Sequence, residues 1–216
     1  MRCPQMIQQV LKGLFLVVLL LASCSSPSDD GAGGGCGGSD ASITCLNVTG
    51  IVPTSLDEVT SNVDALQDVC ARDPVTGAVT ELEPFGDHNA LVTLVNKQFP
   101  TSTPTDRAFD IGITGYSVTY RLNQPCPAAA RGCPPLTALT SAESIFIPAG
   151  QTVTVTLPFV PLSTKNEYVQ AGGALGIAAP SYSATYTFTA QTIGVNDTFT
   201  VQGSAQFTIT DFNNCT

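Results

Sequence analysis

The chain has 216 residues, of which 12% are charged, with a formal charge of −9, a single histidine and no tryptophan. That length holds one or two domains with a sizeable core. The acidic balance excludes a nucleic-acid binder, which needs a basic footprint. One histidine leaves little material for a histidine-based metal site or triad, and a lone apolar run near the N-terminus excludes a multi-span membrane protein.

Residues 1–23 read as a bacterial secretory signal: Arg2 and Lys12 form a positive start, and Leu14 to Ala22 form an apolar run too short to span a bilayer. The run ends on Leu21-Ala22-Ser23-Cys24. This tetrapeptide resembles the lipobox of bacterial lipoproteins, a branched apolar residue and two small ones before the cysteine that receives a diacylglyceryl group. The resemblance implies cleavage before Cys24, acylation of its thiol and membrane anchoring through the acyl chains. Ser25, in place of an aspartate, points to the outer membrane, on its periplasmic face or at the cell surface.

Residues 24–42 are then the lipidated cysteine and a tether. Ser25 to Ser42 is Ser, Asp, Gly and Pro with almost nothing to bury, so it is expected to stay unfolded and to span about 25 Å r.m.s.. Its Gly33-Gly34-Gly35-Cys36-Gly37-Gly38 run is no phosphate loop, since no strand precedes it and no Lys-Ser/Thr pair closes it.

Of the eight cysteines, Cys3 leaves with the signal and Cys24 is lipidated. The others, Cys36, Cys45, Cys70, Cys126, Cys133 and Cys215, are an even set in an exported chain and read as disulfides. Cys126 and Cys133 close a short loop beside Pro and Gly and make the best single pair; the remaining connectivity is open. With no Cys-x-x-Cys spacing a zinc cluster is not expected.

From Ile43 the hydrophobic period is two. Ile43 to Thr49 is the first expected strand. Ser55 to Asp68 carries a helix-start signal, Ser55 and Glu58 at capping-box spacing, against which the β-branched Val59 and Val63 count. Asp73-Pro74-Val75-Thr76-Gly77 is a turn joining Leu66–Ala71 to Ala78–Glu83 as a hairpin. Leu91–Gln98 follows; then Tyr116, Val118, Tyr120 and Leu122 alternate with Ser117, Thr119 and Arg121. Ser144–Ile147 is expected to pair with Val153–Phe159 through Pro148-Ala149-Gly150. Val153, Val155 and Leu157 alternate with threonines, a pattern that suits a solvated outer face. Thr164-Lys165-Asn166-Glu167 has capping-box spacing for one short helical turn, stopped by Gly172-Gly173. Gly194-Val195-Asn196-Asp197 turns Tyr182–Ile193 back onto Thr198–Thr210. The eight or nine strands make residues 43–216 an antiparallel β-sandwich.

Three stretches, Ile113-Thr114-Gly115-Tyr116-Ser117-Val118-Thr119-Tyr120-Arg121-Leu122, the Pro148-Ala149-Gly150 turn before its Val/Thr strand, and Gly203-Ser204-Ala205-Gln206-Phe207-Thr208-Ile209-Thr210-Asp211-Phe212, occur in this order. The order resembles a group of immunoglobulin-like lipoproteins of environmental, often metal-reducing, bacteria. The similarity covers most of residues 43–214 and implies fold and location, with no activity attached. Without a tryptophan the chain lacks the cysteine-tryptophan-cysteine core of antibody domains.

Chemistry-bearing motifs are few. His88, beside Asp87, is expected as a polar loop residue ahead of a strand, and no Gly-x-Ser-x-Gly elbow is present. Asp57, Glu58, Asp64, Asp68, Asp73, Glu81, Glu83 and Asp87 form an acidic window opposed by Arg72 alone. It reads as a solvated face; the competing Ca²⁺ reading, on Asp64, Asp68, Glu81 and Glu83, lacks an EF-hand-type loop. Asn47-Val48-Thr49 and Asn196-Asp197-Thr198 match the glycosylation pattern by coincidence. The apolar stretch Ala171 to Pro180 is expected to close an open end of the sandwich; left exposed, Leu175 and Ile177 would form a docking patch. The chain is thus expected to be no enzyme and to need no cofactor or metal. Its expected role is a structural or protein-interaction one at the envelope, the alternative being a binding module for a small ligand, glycan or Ca²⁺. Its expected partners are the membrane, through the acyl chains, and an envelope protein, with no nucleic acid.

Overall fold

The computed structural model describes residues 34–36, 44–56, 58–98, 109–126, 132–176 and 179–215. Residues 1–33 and 37–43, which include the expected signal peptide, Cys24 and all of the expected tether but residues 34–36, lie outside the described residues. In chain order the elements are β1 (Gly34–Cys36), β2 (Thr44–Ser55), β3 (Glu58–Val59), β4 (Asn62–Asp64), β5 (Val69–Arg72), β6 (Val79–Leu82), β7 (His88–Gln98), β8 (Ile111–Leu122), β9 (Leu139–Ser141), β10 (Ile145–Ile147), β11 (Thr152–Val160), α1 (Leu162–Gln170), β12 (Ser181–Thr192) and β13 (Thr198–Thr210). The fold is all-β with one short helix.

Alternation along the strands decides what lies inside. In β12 every second residue from Tyr182 to Thr192 is buried. Its partner β13 buries Val201, Gly203, Phe207 and Ile209 on the same side. The threonines between them face outward, where branched side chains fit the pleat and keep their hydroxyls wet. The Gly194–Asp197 turn joins the two strands as expected, with Asn196 at φ 64°, a conformation Asn tolerates better than most residues.

The strands form two sheets around one core. The first has the order β1-β2-β7-β11, with β3 on the end of β2; the second has the order β10-β8-β12-β13-β4, with β9 also on β8. Pairing is antiparallel except for β4, which runs parallel to β13 from Asn62 beside Thr208 to Asp64 beside Thr210. The β5–β6 hairpin stands apart from both sheets. Its turn follows the sequence, Asp73 Oδ1 accepting the amides of Val75 and Thr76 at 2.8 and 2.6 Å.

Four expectations change. Ser55–Asp68 is not helical; it carries β3 and β4, because Ser55 closes a tight return onto Glu58 and β4 gains a ladder along β13. β10 and β11 do not pair with each other. Ile145 lies beside Ile113 in the second sheet and Val153 beside Leu94 in the first, so Pro148-Ala149-Gly150 crosses between sheets. Asn96, fully buried, pins this crossing by donating from Nδ2 to the carbonyls of Phe109, Ile147 and Pro148 at 2.8, 3.1 and 3.2 Å. The expected tether contains β1, which pairs Cys36 with Cys45 on β2. The helix begins at Leu162 rather than at Thr164, for a reason that belongs to the pocket below.

The core joins the sheets through aromatic rings. Phe207 lies 5.1 Å from Phe159, 5.8 Å from Tyr182 and 6.0 Å from Tyr120, ring centre to ring centre. The hydroxyls of Tyr120 and Tyr186 cross to the carbonyls of Phe159 and Pro158, which satisfies polar groups that burial would otherwise strand. At Gly203 the sheets approach so closely that a Cβ would sit 2.5 Å from Val48 Cγ1. Gly203→Ala is therefore expected to cost about 1–3 kcal/mol by overpacking. A lower urea midpoint with an unchanged m-value is the readout.

Cys126–Cys133 is a disulfide, as expected from its spacing, and Cys70–Cys215 is a second, spanning 145 residues. Cys45 is disulfide-bonded as well, and the β1–β2 register sets Cys36 directly across the ladder from it.

Candidate binding pocket

A cavity of about 560 Å³ opens where β2 and β3 turn over, lined also by Pro84, Phe85 and Gly86, by Lys165 of α1 and by Phe212, Asn214 and Cys215 near the C-terminal end. Segment 83–88 organises it, because successive residues reach different parts of the chain.

Glu83, 1% exposed, accepts the amide of Asp68 on Oε1 and that of Asn214 on Oε2, both at 2.8 Å. Asp64, at the end of β4, accepts the amide of Phe212 and the side-chain amide of Asn214, each at 3.1 Å. These two carboxyls from the expected acidic face are therefore interior staples for the C-terminal segment, not solvated charges. Burial moves the Asp64 carboxyl up to about 6, and the Glu83 carboxyl beside it pushes in the same direction against the pull of the Phe212 amide. Asp68 and Glu81, grouped with them in the Ca²⁺ reading, do not join them as a cation cage: among the described residues no cluster of three or more His, Cys, Asp or Glu side chains could hold a metal ion. Asp57 lies outside the described residues.

Gly86 and Asp87 seize the helix. Pro161 occupies the N-cap in an extended conformation, φ −72° and ψ 163°, and has no side-chain cap to offer. Asp87 Oδ1 supplies it from outside, accepting the Leu162 amide at 2.7 Å. This tertiary cap starts the helix two residues before the Thr164-x-x-Glu167 box, and Thr164 is buried inside the first turn. One residue on, Lys165 is fully buried; its Nζ donates to the Gly86 carbonyl at 2.6 Å and lies 4.4 Å from the centre of the Phe85 ring. Burial lowers its ammonium to about 8, although Asp64, Asp87 and Glu83 each favour the charged form.

His88 opens β7 and is 2% exposed, so it is a wall of the pocket and not the polar loop residue expected. Its Nε2 lies 2.9 Å from the Asn62 carbonyl, an acceptor only, so Nε2 carries the proton and Nδ1 is a bare acceptor. That Nδ1 is buried and has no partner among the described residues, which costs about 1–3 kcal/mol. Burial, aided by Lys165, holds the ring down at about 4, so it is neutral at pH 7.

These shifts predict a compensated pH dependence. Across pH 4–6 folded Asp64 keeps a proton that the unfolded chain releases, so its contribution to stability falls as pH rises. Across pH 4–6.5 unfolded His88 binds a proton that the folded chain refuses, so its contribution rises with pH. The two shifts act in opposite directions over this window and offset one another. His88→Gln is expected to unmask a loss of stability from pH 4 to 6, and Asp64→Asn a gain from pH 4 to 6.5. Urea unfolding across a pH series checks both. Above pH 8, loss of the buried Lys165 charge is expected to raise stability up to pH 10.5.

Of the apolar stretch 171–180, residues 171–176 follow directly on α1 and fold back against Tyr168, and none of the described residues of the stretch lines the pocket. The Tyr168 hydroxyl donates to the Ala174 carbonyl at 3.0 Å, and Gly172, at φ 79°, ends the helix where the glycine pair predicts. Leu175 is 38% exposed, while Ile177 is outside the described residues. Asp87 and His88 were adjacent in sequence and singled out together; the structure turns them to opposite tasks. No protein-family model, curated protein or solved structure matches the chain.

Proposed function

We propose that this is a lipid-anchored bacterial envelope protein, held by acyl chains on Cys24 at the outer membrane, with a non-enzymatic interaction role. Its folded part would be an immunoglobulin-like β-sandwich displayed on a glycine-rich leash. The observation that carries the anchor is Leu21-Ala22-Ser23-Cys24 at the end of the apolar run. Support for a non-enzymatic role comes from the pocket and the segment behind it: Asp64 and Lys165 in its lining, and Glu83 and Asp87 beside it, hydrogen-bond to backbone groups of the chain itself.

For an interaction role the sheet edges are the natural surface. β10 has β8 on one side only, and Phe146 at its centre is 56% exposed. An open strand edge is a template for a partner strand from an envelope protein.

In-cell crosslinking of the full chain, with Cys24→Ala as control, tests the reading. Recovery of a partner that depends on the anchor, with acyl mass on the Cys24 peptide and incorporation of labelled palmitate, is the expected result. An unmodified Cys24 peptide would overturn the anchor; capture equal in the control would overturn an anchor-dependent role.

A further inference from the structure

The first sheet ends on β11, and that edge is open. Among the described residues β11 pairs with β7 on one side and with no strand on the other. The Asn96 amide donates to the Gln151 carbonyl, which sets the alternation along the strand. Gln151, Val153, Val155 and Leu157 turn their backbone groups towards β7, so Thr152, Thr154 and Thr156 each turn an N–H and a C=O towards the free side. Val153 and Val155 point into the core yet stay half-buried, as inward residues at an uncovered margin do. Natural edges are guarded by charge, proline, a bulge or short length. Thr152 to Leu157 shows none of these guards; proline and bulge begin only at Pro158.

The sequence of the edge selects the partner. Thr152-Val153-Thr154-Val155-Thr156 reads the same in both directions about Thr154. A two-fold axis there sets Thr154 against Thr154 of a second copy, Thr152 against its Thr156 and Val153 against its Val155. The threonine pairs then fall at the narrow, hydrogen-bonded positions, each exchanging both N–H···O bonds, and these are the residues whose backbone groups face outward. Threonine opposite threonine is a favourable cross-strand pair. The valines meet on the inner face, where each covers the open flank of the other. Charge favours the same partner. The chain carries −9, but residues 151–160 hold no charged side chain, so two copies meet along this strand with no like charges directly opposed. An unrelated strand has use for the backbone groups alone; the palindrome matters only to a second copy.

We propose that β11 is a homodimer interface, in which two copies of this chain pair their β11 strands antiparallel about Thr154 and join their first sheets into one. This assembly goes beyond the anchor and the β10 edge and depends on neither.

The test is sedimentation equilibrium of the full chain in density-matched detergent, with micelles in excess over protein. The parent is expected to be at least half dimeric at about 100 μM, an affinity in keeping with a small interface. Thr154→Lys sets an ammonium against its own copy, so it is expected to weaken association at least about tenfold, although it brings the net charge closer to zero. Thr154 is exposed and lysine is a common guard of natural edges, so this variant keeps the fold. Cysteine variants read the register. Hydrogen-bonded partners stand about 5.5 Å apart at Cα, within disulfide reach. Mild oxidation, with the parent as blank, is therefore expected to link Thr154→Cys to itself and Thr152→Cys to Thr156→Cys, but not Thr156→Cys to itself. A monomeric parent, which leaves the edge to a strand of another protein, would overturn the proposal. So would undiminished dimerisation of Thr154→Lys, or linkage of Thr156→Cys to itself as readily as Thr154→Cys. Every variant keeps Cys24 and β10, so association through acyl chains or through the β10 edge would survive Thr154→Lys and be told apart from pairing along β11.

Discussion

Replacing Cys70 and Cys215 together by serine is expected to cost the domain about 5 kcal/mol, against about 2.5 kcal/mol for the Cys126/Cys133 pair. The difference is loop length. The first bond closes 145 residues and the second 7, and a longer loop removes more freedom from the unfolded chain. Chain entropy is one part of the effect. Cys70 sits on the β5–β6 hairpin, which joins neither sheet, and Cys215 ends the segment that Asp64 and Glu83 hold. Without the bond both would depend on a few hydrogen bonds at the surface end of the pocket. In thermal unfolding the long-range variant is expected to melt about 10–20 °C below the parent, at about 2–4 °C per kcal/mol for a domain of this size. The short-loop variant is expected to fall about half as far. Equal losses would show that the C-terminal segment is held by its carboxylate contacts alone.

How much of this was legible in the sequence depended on whether the cause was local. β8, β12 and β13 announce themselves, because a period of two over ten or so residues has no other explanation. The Cys126–Cys133 bond was legible because seven residues with Pro and Gly leave it a natural loop. Cys70–Cys215 was not, since a separation of 145 residues carries no geometric signal. β3 and β4 were hidden behind Ser55 and Glu58, whose spacing imitates a helix start; β4 exists only because β13, far along the chain, offers it a ladder. The Pro148-Ala149-Gly150 turn was recognised as a turn and assigned the wrong partners. Two short strands flanking a tight loop look like a hairpin until Asn96 is seen binding the corner.

The pocket was legible as residues and not as a place. Asp87 and His88 were adjacent and drew attention, but adjacency in an extended segment sends side chains to opposite sides. Asp64 and Glu83 counted as two members of an acidic run. Their partners lie on the C-terminal segment, 148 and 131 residues away, and no local pattern separates a stapling carboxylate from a solvated one. Lys165 stood at a variable position of the Thr164-x-x-Glu167 spacing, which gives it no role. One signal was available in a chain with 8 basic residues, the placement of a lysine in the first turn of a short helix directly after a proline, where an acidic residue is the common choice. A cation in that position needs compensation from elsewhere, and segment 83–87 supplies it. The same segment that caps the helix thus builds the pocket wall, so helix position and pocket shape are coupled through Gly86 and Asp87.

Phe207→Ala is expected to be the most damaging single substitution in the core, at about 3–5 kcal/mol. The residue is 2% exposed and sits among three other rings, one from each of β8, β11 and β12. Its loss removes apolar burial and leaves a cavity that the rings cannot easily fill, because the hydroxyls of Tyr120 and Tyr182 hold them to the carbonyls of Phe159 and Pro134. Phe159, in the other sheet, loses its edge-on partner at the same time, so the damage reaches both sheets. Phe146→Ala is the matched control: a phenylalanine in the same sheet, 56% exposed, expected to change stability by less than about 0.5 kcal/mol. Urea unfolding should move the midpoint of Phe207→Ala well below that of the parent with little change in m, and leave Phe146→Ala in place. A further comparison separates the rings from the volume. Phe207→Leu keeps most of the bulk and none of the ring geometry, and is expected to lose about 0.5–1.5 kcal/mol per aromatic pair beyond its loss of buried area. If Phe207→Leu were as stable as the parent, the sheets would be joined by apolar volume alone, and the arrangement of the four rings would carry no energy of its own.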